Sequence, residues 1–144
     1  MRIDVAIRKR ACGALFIVAL GVQAPVHAAE PFEGVWAKTQ KECLDEEGPN
    51  SRTLIDLGNL IEGKPSPLFD QYENHCKIER RTAVGDGTTT LTATCFEFWE
   101  DFAKGVEGRK VIIKLSTGPR RTLKIDGASY RRCEKKHTSH ERSR

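Results

Sequence analysis

The stretch Cys76-Lys-Ile-Glu-Arg-Arg-Thr-Ala-Val-Gly-Asp-Gly-Thr-Thr-Thr-Leu-Thr-Ala-Thr-Cys95 decides the fold. Gly85-Asp86-Gly87 stands near its centre between β-branched residues, a hairpin signal, because these residues accept the positive φ of a tight turn. Folding the stretch about the midpoint of Gly85 and Asp86 sets Cys76 opposite Cys95, Ile78 opposite Ala93 and Arg80 opposite Leu91. The other face pairs Lys77 with Thr94, Glu79 with Thr92 and Arg81 with Thr90. One face is mostly apolar and the other polar, as a half-buried antiparallel pair requires. Arg80 is the exception, expected at the open end. A four-residue loop from Val84 to Gly87 would place the cysteines at a non-hydrogen-bonded position, where side chains approach closely.

This hairpin organises the other cysteines. Cys43, Cys76, Cys95 and Cys133 follow residue 28, and no pair has the C-x2-C spacing of a zinc site. An even number in a small exported chain points to two disulfides. Pairing Cys76 with Cys95 leaves Cys43 with Cys133, closing a loop of about 90 residues worth roughly 4 kcal/mol.

Outward from the hairpin, turn signals cut the chain into short strands. Phe32 to Thr39 reads as a first strand with Trp36 buried, and Lys41 to Arg52 as a polar loop. Thr53 to Leu57 fits a strand, or a short helix running on through Ile61. Gly63 to Pro67 is rich in breakers. Cys95 to Phe102 holds the densest aromatics and reads as a strand that twists or is apolar on both faces, as core or as a contact patch. Arg109 to Ser116 alternates cleanly, Thr117-Gly118-Pro119 turns it into Thr122 to Ile125, and Asp126-Gly127 leads to Ala128 to Cys133. Six to eight such strands make an all-β fold: a small antiparallel barrel or strongly curved meander sheet closed by two disulfides.

The two ends differ from this body. Residues 1–28 have the parts of a signal peptide: Arg2, Arg8, Lys9 and Arg10, an apolar run from Ala11 to Val22, and Val26-His27-Ala28 before the expected cut. The apolar run is short of the roughly 20 residues a spanning helix needs. The organisation is therefore signal peptide 1–28, a single β domain 29–133 and a flexible basic tail 134–144. The mature protein is expected in the periplasm or secreted, with no transmembrane segment. The 144 residues carry 24 Lys+Arg against 20 Asp+Glu, but the excess sits in the ends. From Ala29 to Tyr130 there are 14 basic and 17 acidic residues, which argues against nucleic acid as a partner.

Candidate chemistry is sparse. Asp70, Tyr72, Glu73 and His75 precede Cys76, and Phe98 and Trp99 follow Cys95; these six form the candidate contact set. At strand spacing Glu73 and His75 share a face. With the cysteines oxidised there is no activated thiol, and no serine or threonine lies in a nucleophile motif. His137 and His140 form an H-x2-H without carboxylate or cysteine support. No cofactor and no metal are expected.

Gly34-Val35-Trp36 resembles the G-x-W of lipocalin-like barrels, in which the tryptophan closes one barrel end beneath an arginine of the last strand. That resemblance implies a barrel-closing role for Trp36 with Arg131 or Arg132. The order Gly34-Val-Trp36, Cys43, Phe69-Asp-Gln-Tyr-Glu-Asn-His-Cys76, Cys95, Tyr130-Arg-Arg-Cys133 resembles small four-cysteine periplasmic proteins of rhizobia and related alphaproteobacteria. It implies an envelope location and disulfides, and brings no catalytic residue with it. The combined expectation is a non-catalytic, monomeric, exported β-barrel binding protein whose partner is a small apolar ligand or an envelope protein. The alternative is a periplasmic inhibitor of an envelope-directed hydrolase such as lysozyme, using Asp45-Glu46-Glu47 or Asp70 to His75 against a basic target. An envelope hydrolase acting through Asp70, Glu73 or His75 is the other.

Protein recovered from its own envelope is expected to begin at Ala29 and, once denatured, to titrate no free thiol. Detection of two or more titratable thiols per chain would overturn the disulfide assignment.

Overall fold

The hairpin at the centre of the sequence is the longest ladder of the fold, β6 (Asn74–Gly85) against β7 (Thr88–Phe96). The structure, a computed structural model, describes residues 29–134; the expected signal peptide and the tail beyond Glu134 lie outside the described residues. The hairpin turn is the two-residue Asp86-Gly87, with φ of 49° and 69°, and Gly85 faces Thr88 across it. Positive φ at both positions matches the right-handed twist of the flanking strands. The four-residue loop is thus replaced by a tighter one.

A turn of this kind alone would set Cys76 opposite Glu97. Two extra residues on β6, Val84 and Glu79, each advance the pairing by one, so that Cys76 meets Cys95. The pairs predicted from Cys76 to Ile78 hold, and those beyond slip. Arg80 faces Thr92, and Arg81 takes the place opposite Leu91. A bulge swaps the faces of the strand beyond it. Arg80 therefore points outward, and Arg81 lies at the barrel mouth, paired with Glu30 at 3.1 Å.

The other barrel strands are β1 (Gly34–Ala37), β2 (Thr53–Asp56), β5 (Leu68–Gln71), β8 (Arg109–Gly118), β9 (Thr122–Ile125) and β10 (Ala128–Arg132). All pairings are antiparallel, and β1 pairs with both β2 and β10 to close an eight-stranded barrel. A small arm, β3 (Leu60–Ile61) with β4 (Lys64–Pro65), is inserted between β2 and β5. The helix considered for residues 53–61 does not form. Instead Asp56 ends β2, accepting the Gly58 amide at 2.9 Å.

Inward positions of every strand meet in one core of Trp36, Ile55, Ile78, Leu91, Leu115 and Leu123 around the Cys76–Cys95 disulfide. An eight-stranded barrel is just wide enough for its own side chains, and these residues fill it. At the seam Trp36 donates its indole N–H to the Phe32 carbonyl at 2.8 Å. The Arg132 guanidinium stands 5.3 Å from the Trp36 ring and donates to the Glu33 carbonyl at 2.7 Å. Of the two arginines considered for this place, Arg132 occupies it and Arg131 faces out beside Thr122. Gly34 has φ of 129°, and a Cβ there would lie 2.8 Å from the Arg132 side chain, so glycine is what lets the arginine pass. Cys133 bonds Cys43, with Cα atoms 5.5 Å apart.

One predicted strand is overturned. The segment from Cys95 to Phe102 leaves the sheet after Phe96 and turns into helix α1 (Trp99–Lys104), ended by Gly105 in the left-handed region. Phe96 and Phe102 pack with Leu68 in a second cluster outside the barrel wall, the two rings edge-on at 5.7 Å. Burial of Phe96 from the end of β7 against Phe102 from α1 explains an aromatic pattern that fits no single strand face. Glu134, placed in the tail by sequence, pairs with Arg121 at 3.7 Å.

Trp36→Ala is expected to cost about 3–5 kcal/mol, measured by denaturant unfolding. Deleting Glu79 should remove the bulge while leaving Ile78 opposite Ala93 and Cys76 opposite Cys95, so the 76–95 bond should persist in a disulfide map; loss of that bond would show that Glu79 is not the extra residue.

Candidate contact groove

The groove begins at the tight turn between β5 and β6. Gln71 faces Asn74 across Tyr72-Glu73, with Glu73 at φ of 54°. The turn projects Tyr72 outward and sets Asp70 opposite His75. The His75 Nδ1 lies 2.6 Å from Asp70 Oδ1, and its ring stacks on Trp99 at 4.1 Å. Trp99 in turn meets Phe102 edge-on at 5.2 Å. The satellite aromatic cluster thus fixes Trp99, and Trp99 with Asp70 fixes His75.

The second wall comes from the loop before β2. Arg52 donates its amide to the Asp45 carbonyl at 3.0 Å and its side chain pairs with Glu46 at 2.8 Å. This folds Glu46 and Glu47 towards Tyr72. Between the walls lies a cleft of about 350 Å³. All six residues of the candidate set, Asp70, Tyr72, Glu73, His75, Phe98 and Trp99, line it. Glu46 and Glu47 of the acidic loop line it as well, whereas Asp45 does not. Phe98 and Trp99 reach it from the entry to α1, not from a strand as expected. Glu73 reaches it from the turn, so strand spacing is not what places it beside His75.

Sequence reading missed Glu97 and Arg52, which complete the charged lining. Glu97 sits between two aromatics and had no partner in sequence to mark it. The groove has five carboxylates, from Glu46, Glu47, Asp70, Glu73 and Glu97, against the single arginine. Its aromatic rim is open to solvent: Tyr72 is 45% exposed, Phe98 60% and Trp99 48%. A hydrogen bond to Glu73, and then the charge of that carboxylate, push the Tyr72 phenol above its ordinary value of 10.0.

Chemically, this is a rigid platform. Among the described residues no hydroxyl is hydrogen-bonded to His75, and Asp70 holds its Nδ1. All four cysteines of the described region are in disulfides. Among the described residues no three His, Cys, Asp or Glu side chains group as metal ligands. Carboxylates beside exposed aromatic faces suit a cation, which gains from charge and from ring quadrupole together. Comparisons with known protein families, with characterised proteins and with solved structures gave no match.

In a Tyr130→Phe background, spectroscopic titration should place the Tyr72 phenol above 10.0, and Glu73→Gln should bring it back towards that value. No response to Glu73→Gln would separate the two side chains.

Proposed function

We propose that this is a non-catalytic binding protein of the cell envelope that uses the acidic, aromatic-rimmed groove to hold a cationic protein partner. The observation that carries this is the convergence of five carboxylates and three exposed aromatic rings on one cleft. Aromatic anchors within an acidic frame provide both the desolvated contact and the charge match that specific interfaces use. The filled barrel core supports an outer contact surface over an interior site for a small apolar ligand. Inhibition of a basic envelope-directed hydrolase such as lysozyme is the specific form of this reading. It draws support from the approach of the acidic loop to the β5–β6 turn, so that both segments face one target. Two disulfides fit the oxidising compartment in which such a partner is met.

Lysozyme and an oligoarginine peptide serve as cationic probes in calorimetric titration. Binding of at least one is expected, weakening with salt and falling by about tenfold or more in Glu46→Lys/Glu73→Lys, with the melting temperature unchanged. Failure of both probes to bind, or equal binding by the variant, would overturn the reading. Loss of lysozyme activity in the complex would establish the inhibitor form.

A further inference from the structure

On the outer wall of β6 to β10 the alternation that buries Leu91, Ile113 and Leu123 turns six cations outward: Lys77, Arg80, Lys110, Lys114, Lys124 and Arg131. The register sets them in rows with hydroxyls between. Lys77, Thr94 and Lys110 form one row; Arg80, Thr92 and Ile112 the next; Thr82, Thr90 and Lys114 the third. Lys124 lies between Ser116 and Ser129, and Arg131 beside Thr122. Two carboxylates meet this wall: that of Glu79, the bulged residue, engaged by Lys110 and by Thr94 at 2.7 Å, and that of Asp126, which accepts the Lys114 backbone amide at 2.8 Å. The Lys110 and Thr94 contacts hold the Glu79 carboxyl below its ordinary value, the hydrogen bond from Lys110 being the largest cause. Among the described residues Arg80, Lys114, Lys124 and Arg131 have no carboxylate in ion-pair reach, and the hydroxyls of Thr90 and Thr92 have no protein partner.

We infer that this wall is a second interaction surface, for an acidic polysaccharide strand. A glycan that bears carboxylates and hydroxyls has groups for both kinds of row, and Lys110 and Lys114 stand about 13 Å apart along β8 at the rise of a strand. Two other polyanions fit less well. A membrane surface calls for an apolar and aromatic face, and the large apolar side chains exposed on these strands are Ile112, at 72%, and Val84 at the hairpin end, at 65%, neither of them aromatic. A single-stranded nucleic acid calls for exposed stacking rings, and the outward rings of β6 and β7, His75 and Phe96, are already covered, His75 by Trp99 and Phe96 by Phe102. The exposed rings gather at the groove instead. This inference stands independently of the groove, which has the opposite charge and other residues.

The test is binding of the full chain to polygalacturonate, with neutral dextran and phosphatidylglycerol-containing vesicles as comparisons. Wild type is expected to bind polygalacturonate in a salt-sensitive manner and to leave dextran free. Arg80→Glu/Lys114→Glu/Lys124→Glu should raise its Kd by about tenfold or more. Lys114→Gln/Lys124→Gln, a milder change for use if the triple variant misfolds, should raise it about threefold. Neutralising Lys135, Lys136, Arg142 and Arg144 should leave most of the affinity, and Glu46→Lys/Glu73→Lys should not weaken it. Absence of binding by wild type, unchanged binding by the wall variants, loss on neutralising the tail alone, or preference for the vesicles would each overturn the inference.

Discussion

Closure of β1 against β10 is the constraint on which the rest depends. The seam is short, pairing Trp36 with Arg132 and Ala37 with Arg131. Eight strands left open at this seam would expose two sheet edges and the inward faces of Ile55, Leu115 and Leu123. Three further contacts reinforce it: the Cys43–Cys133 disulfide, the Cys133 amide on the Val35 carbonyl at 2.8 Å, and Arg132 on the Glu33 carbonyl. The disulfide spans 90 residues, so in the unfolded chain it restrains nearly the whole domain. The pairing of Leu54 with Asp70 sets the loop before β2 beside the β5–β6 turn, and the Cys43–Cys133 bond ties that loop to the seam. The groove is therefore a product of the seam as much as of its own residues.

Much of the barrel was legible because alternation and turn chemistry are local signals. Ile78, Ala93, Val111, Ile113 and Leu115 announce their faces by period, and Asp86-Gly87 and Asp126-Gly127 announce their turns. The bulges at Glu79 and Val84 were not legible. Neither residue type marks an irregularity, and the pairing of Cys76 with Cys95 was reached through the cysteines themselves, with the turn assigned too long. Helix α1 was hidden for a different reason. Its Phe102 is buried against Phe96 and Leu68 outside the barrel, and a satellite cluster has no periodic trace in a stretch this short. The six groove residues stood out as polar and aromatic clusters on either side of the disulfide. Glu97 and Arg52 did not, because their place depends on which loops the closed barrel brings together.

Charge on this small body is separated. Carboxylates converge beside the β5–β6 turn, while lysines and arginines take the outward rows of β6 to β10. Nearly balanced composition from Ala29 to Tyr130 conceals this, because net charge averages over surfaces that a partner meets one at a time. The aromatic rings follow the acidic side and the threonines the basic one, so the two surfaces differ in apolar character as well as in sign.

The long hairpin has one more consequence. β5 pairs with β6 from Asn74 to Lys77, the Ile78 amide reaches the Pro67 carbonyl at 2.8 Å, and beyond it β6 pairs with β7 alone up to Gly85. Its other edge carries backbone groups that another chain could zip onto, the usual route to fibrous association. The bulges at Glu79 and Val84 interrupt that edge, and Arg80 and Arg81 charge it. Irregularities that bring Cys76 to Cys95 thereby also keep the barrel from templating strands of its neighbours.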